Sequence, residues 1–155
     1  MKLDSLDNAK EELKRADHLF YVSLKYTRTV DVIKSVIERL INASSFAIEA
    51  LLYHLQDEKK LEELPKFPVA RANLVLKHYP TDEQLKDYIA FFLLLRKIDK
   101  AEFTRSQEFR RHVTMTCEID GETLTIKIDD IKEYFEKVKK FVTYIEHILE
   151  GEEDE

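Results

Sequence analysis

The sequence has few of the residues that interrupt helices, with two Gly and three Pro among 155 residues. Because Gly and Pro end helices and build tight turns, this scarcity favours long helices over a fold of many short strands. The length suits one domain with a sizeable core. We predict a single helical domain over residues 1–150 and a frayed acidic tail over residues 151–155.

Cysteine, targeting signals and long apolar runs are also scarce or absent. Cys117 is the one cysteine, which excludes an intrachain disulfide and fits a reducing compartment. No basic-then-apolar signal follows Met1, and the longest apolar run, Ile89–Leu95, is far shorter than the ~20 residues of a membrane span. These absences predict a cytoplasmic protein that does not bind membranes.

Acidic residues outnumber basic ones, and the formal net charge is -6. Such a chain does not coat nucleic acid with its whole surface, although a local basic site remains compatible with it. Apolar residues make up 44% and charged residues 36%, as in folded soluble proteins. Lys and Glu are abundant while Asn and Gln are scarce, a bias shared by heat-adapted proteins and long surface helices.

Apolar residues spaced three and four apart predict two long amphipathic helices in the first third of the chain. The first runs from a cap at Asp4 to about Arg28, and the second covers about Asp31–Gln56. One continuous helix would measure ~80 Å, too long for a compact chain of this size. We therefore predict a break near Thr29, where β-branched residues weaken the helix.

Proline and capping residues define two further helices. Pro68 suits the first turn of a short helix over Val69–His78, which must stop before Pro80. Thr81, with Gln84 three residues later, forms a capping box for the next helix. That helix carries Ile89–Leu95 and is apolar on nearly every face, so we expect it to be the middle of the core.

A β-hairpin is predicted at about 113–128, where two alternating segments flank Asp120-Gly121, a strong signal for a type I′ turn. The expected partners are Ile119 with Glu122, Cys117 with Leu124, Met115 with Ile126, and Val113 with Ile128. Cys117 falls on the apolar face, so its thiol is expected to pack in the core. An isolated hairpin is marginal, so this face must cover the helices or another subunit.

The last helix begins at a cap, Asp129 or Asp130, and is expected to stop at Gly151. The expected fold is therefore mainly α: a four- to five-helix up-and-down bundle with the hairpin inserted before the last helix.

Motifs for metal or nucleophilic chemistry are missing. The five histidines form no HExxH or Glu-x-x-His pair, and one cysteine excludes zinc-finger spacing. There is no GxSxG, and two glycines cannot build a phosphate-binding loop. We predict no metal and no cofactor.

The segment from 96 to 112 is basic within an acidic chain. Up to Arg111 it holds three carboxylates against six cations, which are Arg96, Lys97, Lys100, Arg105, Arg110 and Arg111. One interpretation is a solvated helix end with ion pairs such as Glu108 with Arg105 or Arg111. The other is a contact to phosphate or RNA, since guanidinium groups bind phosphate oxygens in pairs.

Arg105 and His112 stand with six residues between them, and Arg71 and His78 repeat this spacing. A His that moves a proton near neutral pH, beside an Arg that stabilises charge on phosphate, can cleave RNA without metal. These two pairs are the candidate catalytic residues, with Arg105 and His112 preferred.

Ser44–Leu55, SSFAIEALLYHL, resembles the second helix of HEPN-type domains, the higher eukaryote and prokaryote nucleotide-binding helical bundles. Leu6–Asp17 is similar to their first helix and Ile131–Leu149 to their last. The resemblance implies an up-and-down bundle, often dimeric and often paired with a nucleotidyltransferase. It also implies that Arg-x(4–6)-His can form a metal-independent ribonuclease site. Where the family has Asn or Asp after the Arg, this chain has Ser106 or Ala72.

Three functions are expected from these features. The first is a HEPN-like homodimer that binds a nucleotide, RNA or a partner protein through the basic segment. The second is a dimeric structural or interaction module with no role in nucleic-acid binding. The third is a metal-independent ribonuclease.

Overall fold

The computed structural model describes residues 1–151. Within them it has five main helices and one three-stranded sheet. These are α1 (Lys2–His18), α2 (Val30–Asp57), α3 (Pro68–His78), α4 (Glu83–Lys100), β1 (Phe103–Ser106), β2 (Thr114–Ile119), β3 (Glu122–Ile126) and α5 (Ile128–Gly151). The predicted class, a helical bundle with a hairpin before the last helix, is confirmed. Gly151 belongs to α5 instead of ending it, and the rest of the predicted tail lies outside the described residues.

The first helix does not end where α1 does. It continues through a π-helical turn, Leu19–Ser23, and a final α-turn, Leu24–Tyr26. The predicted break near Thr29 is confirmed, because Thr29 caps α2 and its hydroxyl accepts a hydrogen bond from the Val32 amide at 3.3 Å.

α2 is the centre of the bundle, since it contacts each of the other four helices and carries buried residues along its whole length. The prediction that α4 is the middle of the core is wrong. Phe91, Leu93 and Leu94 of α4 are only half-buried and Ala90 is exposed. The apolar run therefore covers a flank of the bundle, with one face on α2 and another reaching towards α5.

The starts of α3 and α4 follow ordinary helix-capping chemistry. Pro68 occupies the first turn of α3, as predicted. The cap of α4 is Asp82 and not Thr81, because the Asp82 Oδ1 accepts a hydrogen bond from the Leu85 amide at 3.0 Å. The prediction was therefore wrong by one residue in a pair of adjacent capping residues.

The hairpin has the predicted register over its strands. Ile119 pairs with Glu122, and Cys117 and Met115 pair with their expected partners in β3. Asp120 and Gly121 have φ values of 52° and 84°, as a type I′ turn requires. The predicted pairing of Val113 with Ile128 is wrong, because β2 begins one residue later and Ile128 starts α5.

β1 is a third strand that no pattern in the sequence predicted. It runs antiparallel to β2, with Phe103 opposite Cys117 and Ser106 opposite Thr114. Phe103 alone is half-buried and the rest of β1 is exposed, so the strand lacks an apolar alternation. The sheet packs through β2 on α2 and α4. Cys117 is 3% exposed, and its burial raises the pKa of the thiol, consistent with the predicted packing role.

Candidate functional site

The segment that joins β1 to β2, residues 107–113, is called here the β1–β2 loop. Two of its residues lie in the left-handed region although neither is glycine: Gln107 has φ 54° and Phe109 has φ 66°. A side chain in this region costs about 1–2 kcal/mol per residue, because its Cβ crowds the backbone. Neighbouring contacts must therefore hold the β1–β2 loop in this shape.

Those contacts come from the start of α2. The Oε2 of Glu108 accepts a hydrogen bond from the Val30 amide at 3.1 Å, and the Phe109 amide donates to the Arg28 carbonyl at 2.6 Å. The Val30 amide belongs to the first turn of α2, where amides have no partner within the helix and the helix dipole favours a carboxylate. Glu108 thus fixes the β1–β2 loop to the N-terminal end of α2, the central helix.

Arg105 takes part in the same anchor. Its guanidinium lies 3.2 Å and 3.4 Å from the two carboxylate oxygens of Asp31, and 3.4 Å from Glu108 Oε1. It also lies over the Phe103 ring, 5.3 Å from the centroid. The hydrogen bond to Asp31 is the main cause that raises the pKa of Arg105. Two carboxylates therefore already compensate the charge of the preferred catalytic Arg.

The outward side chains of the β1–β2 loop are exposed. The Phe109 ring is 75% exposed, and Arg110, Arg111 and His112 are exposed beside it. Across residues 1–151, the side chains of these three basic residues make no hydrogen bond or ion pair. The loop therefore combines an uncovered aromatic ring with uncompensated positive charge.

A second exposed aromatic ring lies close in sequence to the residue that the loop contacts. Tyr26 is 78% exposed and stands two residues before Arg28. Lys25 lies over the Tyr26 ring at 5.9 Å. Two exposed aromatic residues are thus close to Arg28, Tyr26 in the sequence and Phe109 through its backbone hydrogen bond.

The predicted basic segment does not form one surface. Lys97 pairs with Asp120 at 2.8 Å, in the turn between β2 and β3. Arg105 and the β1–β2 loop lie at the opposite end of β2, about 17 Å away for a strand of six residues. Lys100 is exposed and Arg96 lies over the Phe92 ring at 6.0 Å.

Arg105 and His112 flank the same end of the sheet, because Ser106 and Thr114 are opposite each other. The His112 carbonyl accepts a hydrogen bond from the Thr114 hydroxyl at 2.7 Å. Within the described part of the chain, no hydrogen bond joins the His112 ring to Arg105. The fold thus brings the two residues to one end of the sheet without joining their side chains.

Arg71 and His78, the alternative catalytic pair, lie apart on α3. Arg71 donates to the Pro65 carbonyl at 2.6 Å and to Glu49 Oε2 at 2.9 Å, so it fastens α3 and the preceding loop to α2. The other Glu49 oxygen accepts from Ser5 of α1 at 2.9 Å. His78 ends the same helix, roughly 10 Å further along its axis. Arg71 therefore has a structural role in joining three helices.

The described residues contain no cluster of His, Cys, Asp and Glu that could hold a metal ion. The helices they form include none that is both long and apolar enough to cross a membrane. Comparison with models of protein families, with curated proteins and with solved structures gave no match.

Sequence reasoning identified the cations of this surface and the ion pair of Glu108 with Arg105, which forms at 3.4 Å, although between β1 and the loop and not within a helix. It missed the pairing of Asp31 with Arg105, the contact of Glu108 with α2 and the exposure of Phe109. An isolated Phe within a polar, basic run was the available signal for that exposure. Nothing local indicates the contact of Glu108 with Val30, which joins residues 78 positions apart.

Proposed function

We propose that this protein is a HEPN-like helical-bundle protein that binds single-stranded RNA through the β1–β2 loop. The observation that carries the proposal is the Phe109 ring, which is 75% exposed on a strained backbone beside the exposed cations Arg110 and Arg111. Bases stack on such rings for about 1–3 kcal/mol each, while Arg110 and Arg111 suit phosphate oxygens. Stacking does not distinguish base edges, so we expect little sequence preference.

The test is fluorescence anisotropy with a labelled oligouridine across a range of KCl concentrations. Wild-type protein should bind, with affinity that falls as salt rises because phosphate contacts release counterions. Phe109→Ala should weaken binding by about tenfold, the loss of one stacked base. Phe67→Ala is the matched control, because Phe67 is 74% exposed on another part of the surface. Equal affinities of the two variants, or a wild type that does not bind, would contradict the proposal.

The arginine contribution has its own matched pair of variants. Arg110→Gln with Arg111→Gln should reduce affinity and flatten the dependence on salt, since two phosphate contacts are lost. Lys66→Gln with Lys127→Gln removes the same charge from exposed positions elsewhere. Equal salt dependence in the two double variants would assign the effect to net charge and not to the β1–β2 loop.

A ribonuclease is the less supported proposal, because Asp31 and Glu108 already occupy Arg105. Incubating RNA with the protein in EDTA tests it. Cleavage that disappears in both Arg105→Ala and His112→Ala would favour the enzyme, and an inert wild type would remove it.

A homodimer, or a complex with a nucleotidyltransferase-type protein, remains a proposal from the family resemblance. Light scattering of the purified chain tests the dimer.

A further inference from the structure

A groove lies between the start of α4 and the second half of α5, away from the elements that form the RNA-binding surface proposed above. Its volume is about 630 Å³, within the range of small-molecule sites. Residues of α4 and α5 line it, including Tyr88 on one side and Tyr144 on the other. The groove is therefore large enough for a ligand of the size of a nucleotide.

The apolar floor of this groove is held in place. The Tyr88 ring stacks on Phe141 with centroids 5.2 Å apart, and it lies 5.7 Å from the Tyr144 ring. Gln84 donates a hydrogen bond to the Tyr88 hydroxyl at 3.2 Å. Ile148 is half-buried and extends the floor by one further turn of α5. These contacts fix the floor before any ligand arrives, which limits the entropy lost on binding.

Tyr144 is also fixed through its hydroxyl. It donates to Asp82 Oδ2 at 2.5 Å, and Asp82 is the residue that caps α4. Burial and this hydrogen bond raise the pKa of Tyr144 to about 12. The phenol stays neutral near pH 7, so no negative charge from Tyr144 opposes an anion in the groove.

The rim of the groove carries basic side chains that have no hydrogen-bond or ion-pair partner within residues 1–151. Lys139, Thr143 and His147 follow one another at intervals of four residues, so they form a row about 12 Å long on α5. Lys140 lies beside this row. Within residues 1–151 none of these four side chains makes a hydrogen bond or ion pair. Glu136 is the one carboxylate among the lining residues.

Two other cations of the neighbourhood are paired. Lys137 of α5 contacts Asp87 of α4 at 2.8 Å, and Lys10 of α1 pairs with Glu146. Lys139 and Lys140, which border the groove, have no such carboxylate partner within residues 1–151. In an acidic chain this distribution produces a local positive field over an apolar floor.

We propose that this groove binds a small organic anion, with an aromatic body on Tyr144 and Ile148 and a phosphate or carboxylate group on Lys139 and Lys140. Thr143 donates a further hydrogen bond to the anionic group. The ligand site is separate from the β1–β2 loop, so neither proposal depends on the other.

The experiment follows the fluorescence of anilinonaphthalenesulfonate, an aromatic anion, with the full chain. We expect saturable binding of one dye per chain. Lys139→Gln with Lys140→Gln should weaken it at least about tenfold, the loss of two charge-assisted contacts. Lys66→Gln with Lys127→Gln should leave it unchanged, as should Phe109→Ala. Circular dichroism checks that each variant is folded.

Two competitors identify the anionic group. Displacement by adenosine monophosphate assigns a phosphate ligand, and displacement by benzoate assigns a carboxylate. Adenosine, which lacks the charge, should displace the dye much less. In the wild type, the amide signals of Thr143 and His147 should shift in NMR spectra on addition of the competitor that displaces the dye.

The proposal is overturned by the absence of saturable dye binding, by equal binding of the two lysine double variants, or by failure of both anionic competitors. Dye binding that is lost in Phe109→Ala would place the dye on the β1–β2 loop and would equally refute the groove.

Discussion

The two connections that flank β2 each have two residues in the left-handed backbone region, but the residue types differ. The turn after β2 needs two left-handed residues and has Asp120 and Gly121, which adopt this conformation at little cost. The β1–β2 loop before the strand has this left-handed conformation at Gln107 and Phe109, for which it is energetically costly. The turn is stable by local chemistry, whereas the loop depends on Glu108 and α2. Strain held by distant contacts is typical of functional segments.

The largest expected effect is on the anchor of the loop. Glu108→Ala leaves the Val30 amide and Arg105 without their shared carboxylate, so we expect a loss of about 2 kcal/mol in the free energy of unfolding, the upper range for a helix cap. Urea denaturation measures it. Glu11→Ala, at an exposed site on α1, should change stability by less than about 0.5 kcal/mol. Similar losses in both variants would show that Glu108 does not hold the loop.

The next effect concerns the turn. Gly121→Ala should cost about 1–2 kcal/mol, because alanine is strained at φ 84° although nothing lies within 4 Å of the added Cβ. Gly151→Ala, in α5, should stabilise by up to about 1 kcal/mol because alanine favours helix. Thermal unfolding of the two variants compares them. Shifts of the same sign would contradict the conformational explanation.

A smaller effect of opposite sign is expected in the loop. Phe109→Gly relieves the left-handed strain but adds chain entropy to the unfolded state, so we expect a net gain of roughly 0.5 kcal/mol. The same variant should bind oligouridine more weakly than wild type. Urea denaturation and anisotropy on one preparation measure both. A clear loss of stability would mean that the Phe109 ring supports the fold and is not kept for a ligand.

The smallest effect is at the ion pair between Lys97 and Asp120. Both side chains are more than half exposed, so water screens their attraction. Lys97→Gln should cost under about 0.5 kcal/mol, and the difference should vanish at high salt. Unfolding at low and high KCl checks this. A larger loss that persists in salt would show that the turn, like the loop, needs a contact outside the hairpin.

The same contrast explains what the sequence predicts. Asp120-Gly121 encodes its turn locally, and that turn fixes the register of Met115 and Cys117 with β3. Thr29 and Pro68 mark helix starts through their own side chains. These features can be predicted from the local sequence without knowledge of the rest of the fold.

The remaining features depend on contacts far apart in the chain. In β1, Phe103 pairs with Cys117 of β2 and is the one half-buried residue of the strand. The other residues of β1 have no apolar alternation from which a strand could be predicted. The β1–β2 loop takes its shape from the start of α2. The centre of the core also could not be read from apolarity alone. The most apolar run is in α4, yet α2 is surrounded because four helices pack on it.

The π-helical turn at Leu19–Ser23 has a consequence for changes in chain length. Such a turn accommodates one residue more than an α-turn while keeping Ala16 and Leu24 both buried. None of its own five residues is buried. A deletion of one residue there would close an ordinary turn and leave both flanking helical segments in phase with the core. The same deletion inside α2 would rotate everything beyond it by about 100°. Homologous chains that differ by a single residue should therefore carry their gap here.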